Sequence, residues 1–408
     1  MAQYNINLHE AIYSLSDALD LVGVTHIHHG KRVAFMAAEC AKKMGWQGRR
    51  VDDLFQAAIL HDCGVSKTVV HERLAQFEWE QENDHCVLGE QLLKSCPMLE
   101  PLSPVVRYHH THWSELKAMD LPEEVKWNAN CIYMVDRVDV LSLAFLVDQN
   151  NLLLGREHIR EKIWEKRGDW FCPELVDAFM EVSHSEAFWL SLESGQVSGY
   201  VSVWLSETKQ QPMDFAELRS IVRIFSFIVD AKSSFTRQHS DGVARLARYL
   251  GTLLELPEDS CEMLELAGLL HDIGKLRQPD ALLEKTERLT DEEYAHIQRH
   301  SFDTYSILHN IKGLETITQW AAQHHERADG TGYPYHLKNG VLSLEARIVA
   351  VADVFQALAQ KRPYREPLPP EMIMRILNEM MADGKLDREV VMQVDNHLDE
   401  CWRQALGT

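Results

Sequence analysis

Residues 264–275 read LELAGLLHDIGK, a leucine-rich run at helical spacing that ends on the adjacent pair His271-Asp272. The same order stands earlier in the chain, where Ala57-Ala58-Ile59-Leu60 leads into His61-Asp62 as Ala267-Gly268-Leu269-Leu270 leads into His271-Asp272. Working outward, His239 and His271 each follow His29 and His61 by 210 residues. His300 and the pair His324-His325 follow His85 and His109-His110 by 215, and Asp353 follows Asp136 by 217. An offset that grows by only a few residues is what small loop insertions produce in a duplicated domain. The expected division is a first copy over residues 1–205 and a second over 206–408. Polar residues Glu207, Lys209, Gln210 and Gln211 mark the join, and Leu218, Ile221, Val222, Phe225 and Ile228 then open a new amphipathic stretch. Gly195 to Leu205 has the β-branched alternation of a short strand or hairpin near the junction. Helical periods dominate elsewhere, so the expected class is all-α, two tandem helical bundles.

Composition narrows the function. With 45% hydrophobic and 25% charged residues, 20 Gly and 13 Pro, the 408-residue chain is globular and able to bury a sizeable core. Its 62 acidic and 41 basic residues give a formal charge of −21. No general field attracts phosphates, which argues against binding to nucleic acid polymers or anionic membranes. A small anionic ligand then needs a locally positive site. No apolar run approaches the length of a bilayer span, and polar residues interrupt even Ile348 to Ala359. The eight Cys show neither CxxC pairing nor regular spacing, against a disulfide framework or zinc ribbon. Met1 to Glu10 lacks the basic-then-apolar profile of a signal peptide. A cytoplasmic protein with reduced thiols is expected.

Histidine carries the chemistry. A lone His on a helix is usually a satisfied core or surface residue, but seven His and Asp positions recurring in one order within one chain are not explained that way. Imidazole nitrogens and carboxylate oxygens are ligands for Fe, Mn, Ni and Zn. An adjacent His-Asp pair suits a two-metal site, in which the carboxylate bridges ions about 3.5–4 Å apart and the imidazole binds one of them.

These residues carry a resemblance. His271-Asp272-Ile273-Gly274-Lys275 resembles the signature of the HD superfamily of metal-dependent phosphohydrolases. His324-His325-Glu326-Arg327-Ala328-Asp329-Gly330-Thr331-Gly332-Tyr333-Pro334 resembles the defining loop of its HD-GYP subfamily. Ala352-Asp353-Val354-Phe355-Gln356-Ala357-Leu358, followed by Arg362-Pro363-Tyr364-Arg365, is similar to that subfamily's last motif. The likeness extends over most of residues 214–404. It implies a helical bundle that hydrolyses cyclic di-GMP, or in some members 3′,3′-cyclic GMP-AMP, in bacterial second-messenger signalling. It also implies two divalent ions, iron first, manganese next, with nickel compatible. Carried over by position, the metal ligands are His239, His271, Asp272, His300, His324, His325 and Asp353, with Asp272 as the bridge. His271, Asp272 and Lys275 are the catalytic candidates. Lys275, Arg362, Arg365, Asp329, Gly330, Gly332, Tyr333 and Pro334 are the substrate-binding candidates. Two positions depart from the pattern. Phe235 stands where some members place a Glu for a third metal, and Gln356 stands where many have Asp, which weakens a proton relay there.

In the first copy, His29, His61, Asp62, His85, His109, His110 and Asp136 keep all seven ligand types. The substrate groups are gone. Val65 replaces Lys275, Thr111-His112-Trp113-Ser114 follows the His pair, and Leu143-Ala144-Phe145-Leu146 stands in the region of Arg-Pro-Tyr-Arg. The expectation is a regulatory or structural domain that binds metal without hydrolysis, with a decayed, metal-free copy as the alternative. Cys63, beside Asp62, is a core residue or, if the ions are iron, a redox-responsive one. For the whole chain, the leading function is a cyclic-dinucleotide phosphodiesterase yielding a linear dinucleotide. The alternatives are a non-hydrolysing metal-bound sensor and an HD phosphohydrolase of another nucleotide. Oligomeric state is open, with a dimer compatible.

Overall fold

Stretches with apolar residues three and four apart become helices in the computed structural model, which describes residues 3–22, 28–67, 84–146, 152–232, 239–338, 340–361 and 366–407. The chain divides into two compact units. One is Leu8–Lys209, and the other is Gln210–Thr408 together with Met1–Asn7, a segment that a cut at residue 205 assigns to the first copy. Among the described residues, regular β structure is a two-stranded ladder in which Tyr4–Ile6 pairs antiparallel with Gln211–Met213. No described helix is long and apolar enough to cross a membrane.

The strand or hairpin expected over Gly195 to Leu205 is corrected: this segment lies inside the helix Ser194–Ser206. Alternation of Val with Ser and Gly favours a strand locally, but Val197 and Val201, four apart, form the buried line. Ser198 and Ser202 donate their hydroxyls to the carbonyls four residues back, at 2.7 and 2.8 Å, so both polar groups are satisfied within the helix. Aromatic anchoring completes the choice. Tyr200 meets Phe35 edge-on at 4.9 Å, and the Trp204 indole donates to Asp52 at 2.7 Å.

Within each unit the same arrangement recurs. In the first, helix His29–Lys43 packs on helix Arg49–Leu60, and helix Glu123–Leu146 packs on His29–Lys43 and on Ser103–Tyr108. In the second, helix His239–Leu253 packs on Glu258–Leu270 and on Leu344–Ala359, while Asp291–Leu308 crosses the 3₁₀ turn Ile273–Arg277.

One glycine in each copy permits the crossing that matters most. A Cβ on Gly274 would stand 2.0 Å from the His300 carbonyl oxygen, and one on Gly64 would stand 2.1 Å from that of His85. Only a residue without a side chain lets the third-histidine helix lie against the turn after the His-Asp pair. Thr304 stitches this seam in the second copy, accepting from the Gly274 amide at 3.1 Å and donating to the His271 carbonyl at 3.0 Å.

Candidate metal centres

Helix ends place the ligands of the second copy. His239 opens its helix, and His271-Asp272 follow directly on Leu270. His300 lies within helix Asp291–Leu308, His324-His325 follow helix Glu315–Ala322, and Asp353 lies mid-helix in Leu344–Ala359. His271, His300 and His324 each donate Nδ1–H to the carbonyl three residues back, on Gly268, Ile297 and Ala321, at 2.6–2.7 Å. A proton held on Nδ1 leaves the Nε2 lone pair free to bind metal. His239 Nδ1 donates to the side-chain oxygen of Gln356 with the same consequence.

The freed nitrogens converge. His239 Nε2 lies 3.3 Å from His271 Nε2 and 3.3 Å from Asp353 Oδ1, while His300 Nε2 lies 3.1 Å from His324 Nε2. The His325 ring centroid is 4.9 Å from that of His300. Asp272 stands between the two groups. Its Oδ2 is 3.6 and 3.3 Å from His239 and His271, and its Oδ1 is 3.5 and 3.8 Å from His300 and His324. Two ligands about 2.1 Å from one ion are about 3.0–3.4 Å apart at octahedral or tetrahedral angles. These spacings therefore fit two ions that share one carboxylate. Asp272 Oδ1 is also buried without a hydrogen-bond partner, as expected of an oxygen reserved for metal.

Burial holds four of the five imidazoles toward the neutral, metal-binding form, whereas for His271 burial is outweighed by Asp272, which raises its pKa. Burial, reinforced by Lys275, pulls His300 down to about 4, and burial beside His300 pulls His325 down to about 3, so both rings stay neutral. Burial pushes the Asp272 carboxyl up, but His271 and Lys275 outweigh it and hold the group well below the usual carboxylate range. Lys275 Nζ is 2.5 Å from Asp272 Oδ2.

The loop after His325 folds back over the cluster. Buried Glu326 accepts from the amides of Tyr335 and Leu337 at 2.6 and 2.9 Å, and the Tyr333 amide donates to the His325 carbonyl at 3.2 Å. At Gly332 a Cβ would meet backbone atoms at 2.4–2.5 Å. The Tyr333 ring lies 4.8 Å from that of His325. Asp329 is exposed, its Oδ1 accepting from the Thr331 amide and hydroxyl at 2.8 and 2.7 Å. Gly330 turns with φ +83, and Pro334 follows Tyr333 in the loop. Arg362, Arg365 and Phe235 lie outside the described residues.

The first copy repeats the geometry. His29 Nε2 is 3.3 Å from His61 Nε2 and 3.4 Å from Asp136 Oδ1. Asp62 faces His29 and His61 with Oδ2 at 3.7 and 3.6 Å, and His85 and His109 with Oδ1 at 3.6 and 3.8 Å. His61 and His109 donate Nδ1–H to Ala58 and Val106, and the His110 ring lies 4.3 Å from that of His109. Buried Val65 occupies the position of Lys275. Where the Gly-Tyr-Pro loop stands in the second copy, His112 stacks on Trp170 at 4.8 Å and the Trp113 amide donates to the Trp170 carbonyl at 2.9 Å.

Asp139, Arg32 and Cys86 carry no motif signal, and Gln356 enters the motif only as a departure from it. Gln356 and Asp139 hold the first histidine of their copies, with His29 Nδ1 2.7 Å from Asp139 Oδ2. Their shared offset of 217 residues, the same as for Asp136 and Asp353, was the available signal. Arg32 braces Asp139 at 2.9 Å, whereas Gly242 stands 210 residues on. Cys86 Sγ lies 3.4 Å from His85 Nε2. Burial opposes its ionisation, but His109 beside it brings the thiol down to about 6. Cys63 instead is fully buried, 3.9 Å from the Gly89 carbonyl, and burial pushes its thiol up.

Two copies of one helical arrangement, each gathering its histidines around a His-Asp turn, define a tandem HD-domain protein. HD-domain family models match residues 27–141 and residues 223–390. The chain belongs to the HD superfamily, in its HD-GYP branch, and is similar to 3′3′-cGAMP-specific phosphodiesterase 1 of Vibrio cholerae. It is 37% identical to that protein over 393 residues, 95% of this chain and 91% of the relative. To 3′3′-cGAMP-specific phosphodiesterase 3 of the same organism it is 27% identical, over 93% of this chain and 92% of the relative. The crystal structure of a cyclic GMP-AMP-specific phosphodiesterase of V. cholerae shares the fold, with a TM-score of 0.65 at 23% identity over 98% of each chain.

Proposed function

We propose that the chain is a metal-dependent phosphodiesterase that opens cyclic dinucleotides, and that residues 206–408 carry the chemistry. The preferred substrate is 3′,3′-cyclic GMP-AMP, the ligand in the names of both near-full-length relatives, with cyclic di-GMP second. The observation that carries this reading is the pairing, in the second copy alone, of a seven-donor cluster with an adjacent ammonium and the folded-back Gly-Tyr-Pro loop. His239, His271, Asp272, His300, His324, His325 and Asp353 hold two divalent ions, iron first and manganese next. Such ions supply a lowered water pKa and charge neutralisation at phosphorus.

The chain's own groups do the rest. Lys275, at the edge of the cluster, partners a phosphoryl oxygen or the departing oxygen. Tyr333 bounds the entrance beside His325, and Gly330, Gly332, Pro334 and Asp329 shape its loop. Arg362 and Arg365 take the second phosphate. In the reaction a water oxygen adds to phosphorus, the P–O3′ bond breaks, and the 3′ oxygen takes a proton. The product is a linear dinucleotide with a 5′-phosphate. A locally cationic site of this kind reconciles an anionic substrate with a chain of charge −21.

The first copy holds metal through His29, His61, Asp62, His85, His109, His110 and Asp136 and acts as a regulatory domain, since it lacks the lysine and the loop. A cysteine pattern with neither CxxC pairing nor regular spacing supports a reducing, cytoplasmic setting. Lys275→Ala tests the catalytic assignment. Turnover falls by about 10²–10³-fold, as for loss of one preorganised charge-stabilising group, while metal content by elemental analysis stays unchanged. Wild-type turnover in this variant would contradict it.

A further inference from the structure

The first copy carries a donor that the second does not. Cys86 Sγ lies 3.4 Å from His85 Nε2 and 3.7 Å from His109 Nδ1, and His85, Cys86, His109 and His110 offer four ligand atoms all within 4.8 Å of one another. Nitrogen and sulfur ligands of one tetrahedral ion, at about 2.1 and 2.3 Å from it, stand about 3.6 Å apart, close to the 3.4 Å between Cys86 Sγ and His85 Nε2, whereas the His109 nitrogen nearest Cys86 is the one that carries the proton. Three of the four are sealed from solvent, with Cys86 1%, His85 4% and His109 0% exposed, and His110 is half-buried. His109 Nδ1 is committed to the Val106 carbonyl, and its Nε2 is buried without a hydrogen-bond partner, as is Asp62 Oδ1, 3.8 Å away. Fully buried acceptors left bare in this way point to a cation.

The duplication supplies an internal comparison. Cys86 follows His85 as Ser301 follows His300, at the same offset of 215 residues, and Ser301 Oγ lies 3.5 Å from His300 Nε2. Both copies aim the residue after the third histidine at the same ring nitrogen. The difference is oxygen in one and sulfur in the other. A neutral serine hydroxyl is a poor ligand, whereas a thiolate is a strong one that selects for thiophilic ions.

We propose that Cys86 ligates the ion held by His85 and His109 in the first copy, making it a mixed imidazole–thiolate site for a thiophilic divalent ion such as zinc, unlike its all-nitrogen-and-oxygen counterpart in the second copy. This rests on the first copy's being a metal centre. On binding, the thiol releases its proton to solvent and the sulfur lone pair forms the metal bond.

The test uses the full chain, stripped of metal and reloaded with Co(II). Wild type then shows a thiolate-to-cobalt charge-transfer band in the near ultraviolet. Cys86→Ser loses that band while keeping the visible bands of nitrogen- and oxygen-bound cobalt, with circular dichroism showing an intact fold. Cobalt per chain is counted in wild type and in His109→Ala. If His109→Ala holds as much cobalt as wild type, the first copy is not a metal centre, and both that reading and this inference fall. If His109→Ala loses cobalt yet wild type lacks the charge-transfer band, or Cys86→Ser keeps it, the metal centre stands and Cys86 is not its ligand.

Discussion

Asp272→Ala lowers cyclic-dinucleotide hydrolysis by at least about 10³-fold, while Asp62→Ala, the same change in the first copy, leaves product formation in place. Asp272 faces two histidine pairs with its two oxygens, at 3.3–3.6 Å on one side and 3.5–3.8 Å on the other. Removing it therefore unlinks both ion positions at once. Loss of a group that merely supports a ligand typically costs 10–100-fold in metal affinity or activity, and a shared ligand costs more. Asp62 occupies the equivalent place among His29, His61, His85 and His109, but Val65 stands where the second copy has its ammonium. Turnover assays on both variants, with folding checked by circular dichroism, read the asymmetry directly. Equal losses would contradict the division of labour between the copies.

Gly274→Ala lowers both stability and turnover, although Gly274 is not among the proposed metal or substrate contacts. The new methyl would stand 2.0 Å from the His300 carbonyl oxygen and 2.8 Å from the Thr304 amide nitrogen. Both neighbours are backbone, so no side chain can swing aside. Helix Asp291–Leu308 must back away from the turn Ile273–Arg277, loosening the Thr304 bridge and carrying His300 away from Asp272 and His324. Overpacking of this kind costs about 1–3 kcal/mol, a fall in Tm of several degrees for a unit of this size. A displacement of about 1 Å at the reacting centre costs about 10²-fold in rate. Calorimetry and steady-state rates on the variant check the two effects. A variant with wild-type stability and turnover would show that the close approach does not set the position of His300.

Much of this architecture was legible because the chain is written twice. Offsets of 210, 215 and 217 residues align all seven donors of one copy with those of the other, and the structure gathers each set around its His-Asp turn. What stayed hidden depends on tertiary contact. The Val–Ser alternation near residue 200 has strand character, but burial of Val197 and Val201 against the first unit and the Trp204–Asp52 hydrogen bond decide for a helix. Gln356 reads as a lost carboxylate in the motif, yet its amide oxygen still receives His239 Nδ1–H, so the orienting role survives the change of residue type. Cys63, next to Asp62 in sequence, drew notice ahead of Cys86. Adjacency along a chain does not say which way a side chain points after a helix ends, and here the Cys63 sulfur turns into the core.

The most direct measurement of the central claim is chromatographic product analysis of the intact protein. The chain is loaded with iron or manganese without oxygen and incubated separately with 3′,3′-cyclic GMP-AMP and cyclic di-GMP. The expected result is a linear 5′-phosphorylated dinucleotide from both, formed faster from 3′,3′-cyclic GMP-AMP. Both substrates remaining intact, with metal shown to be bound in the second copy, would contradict the assignment.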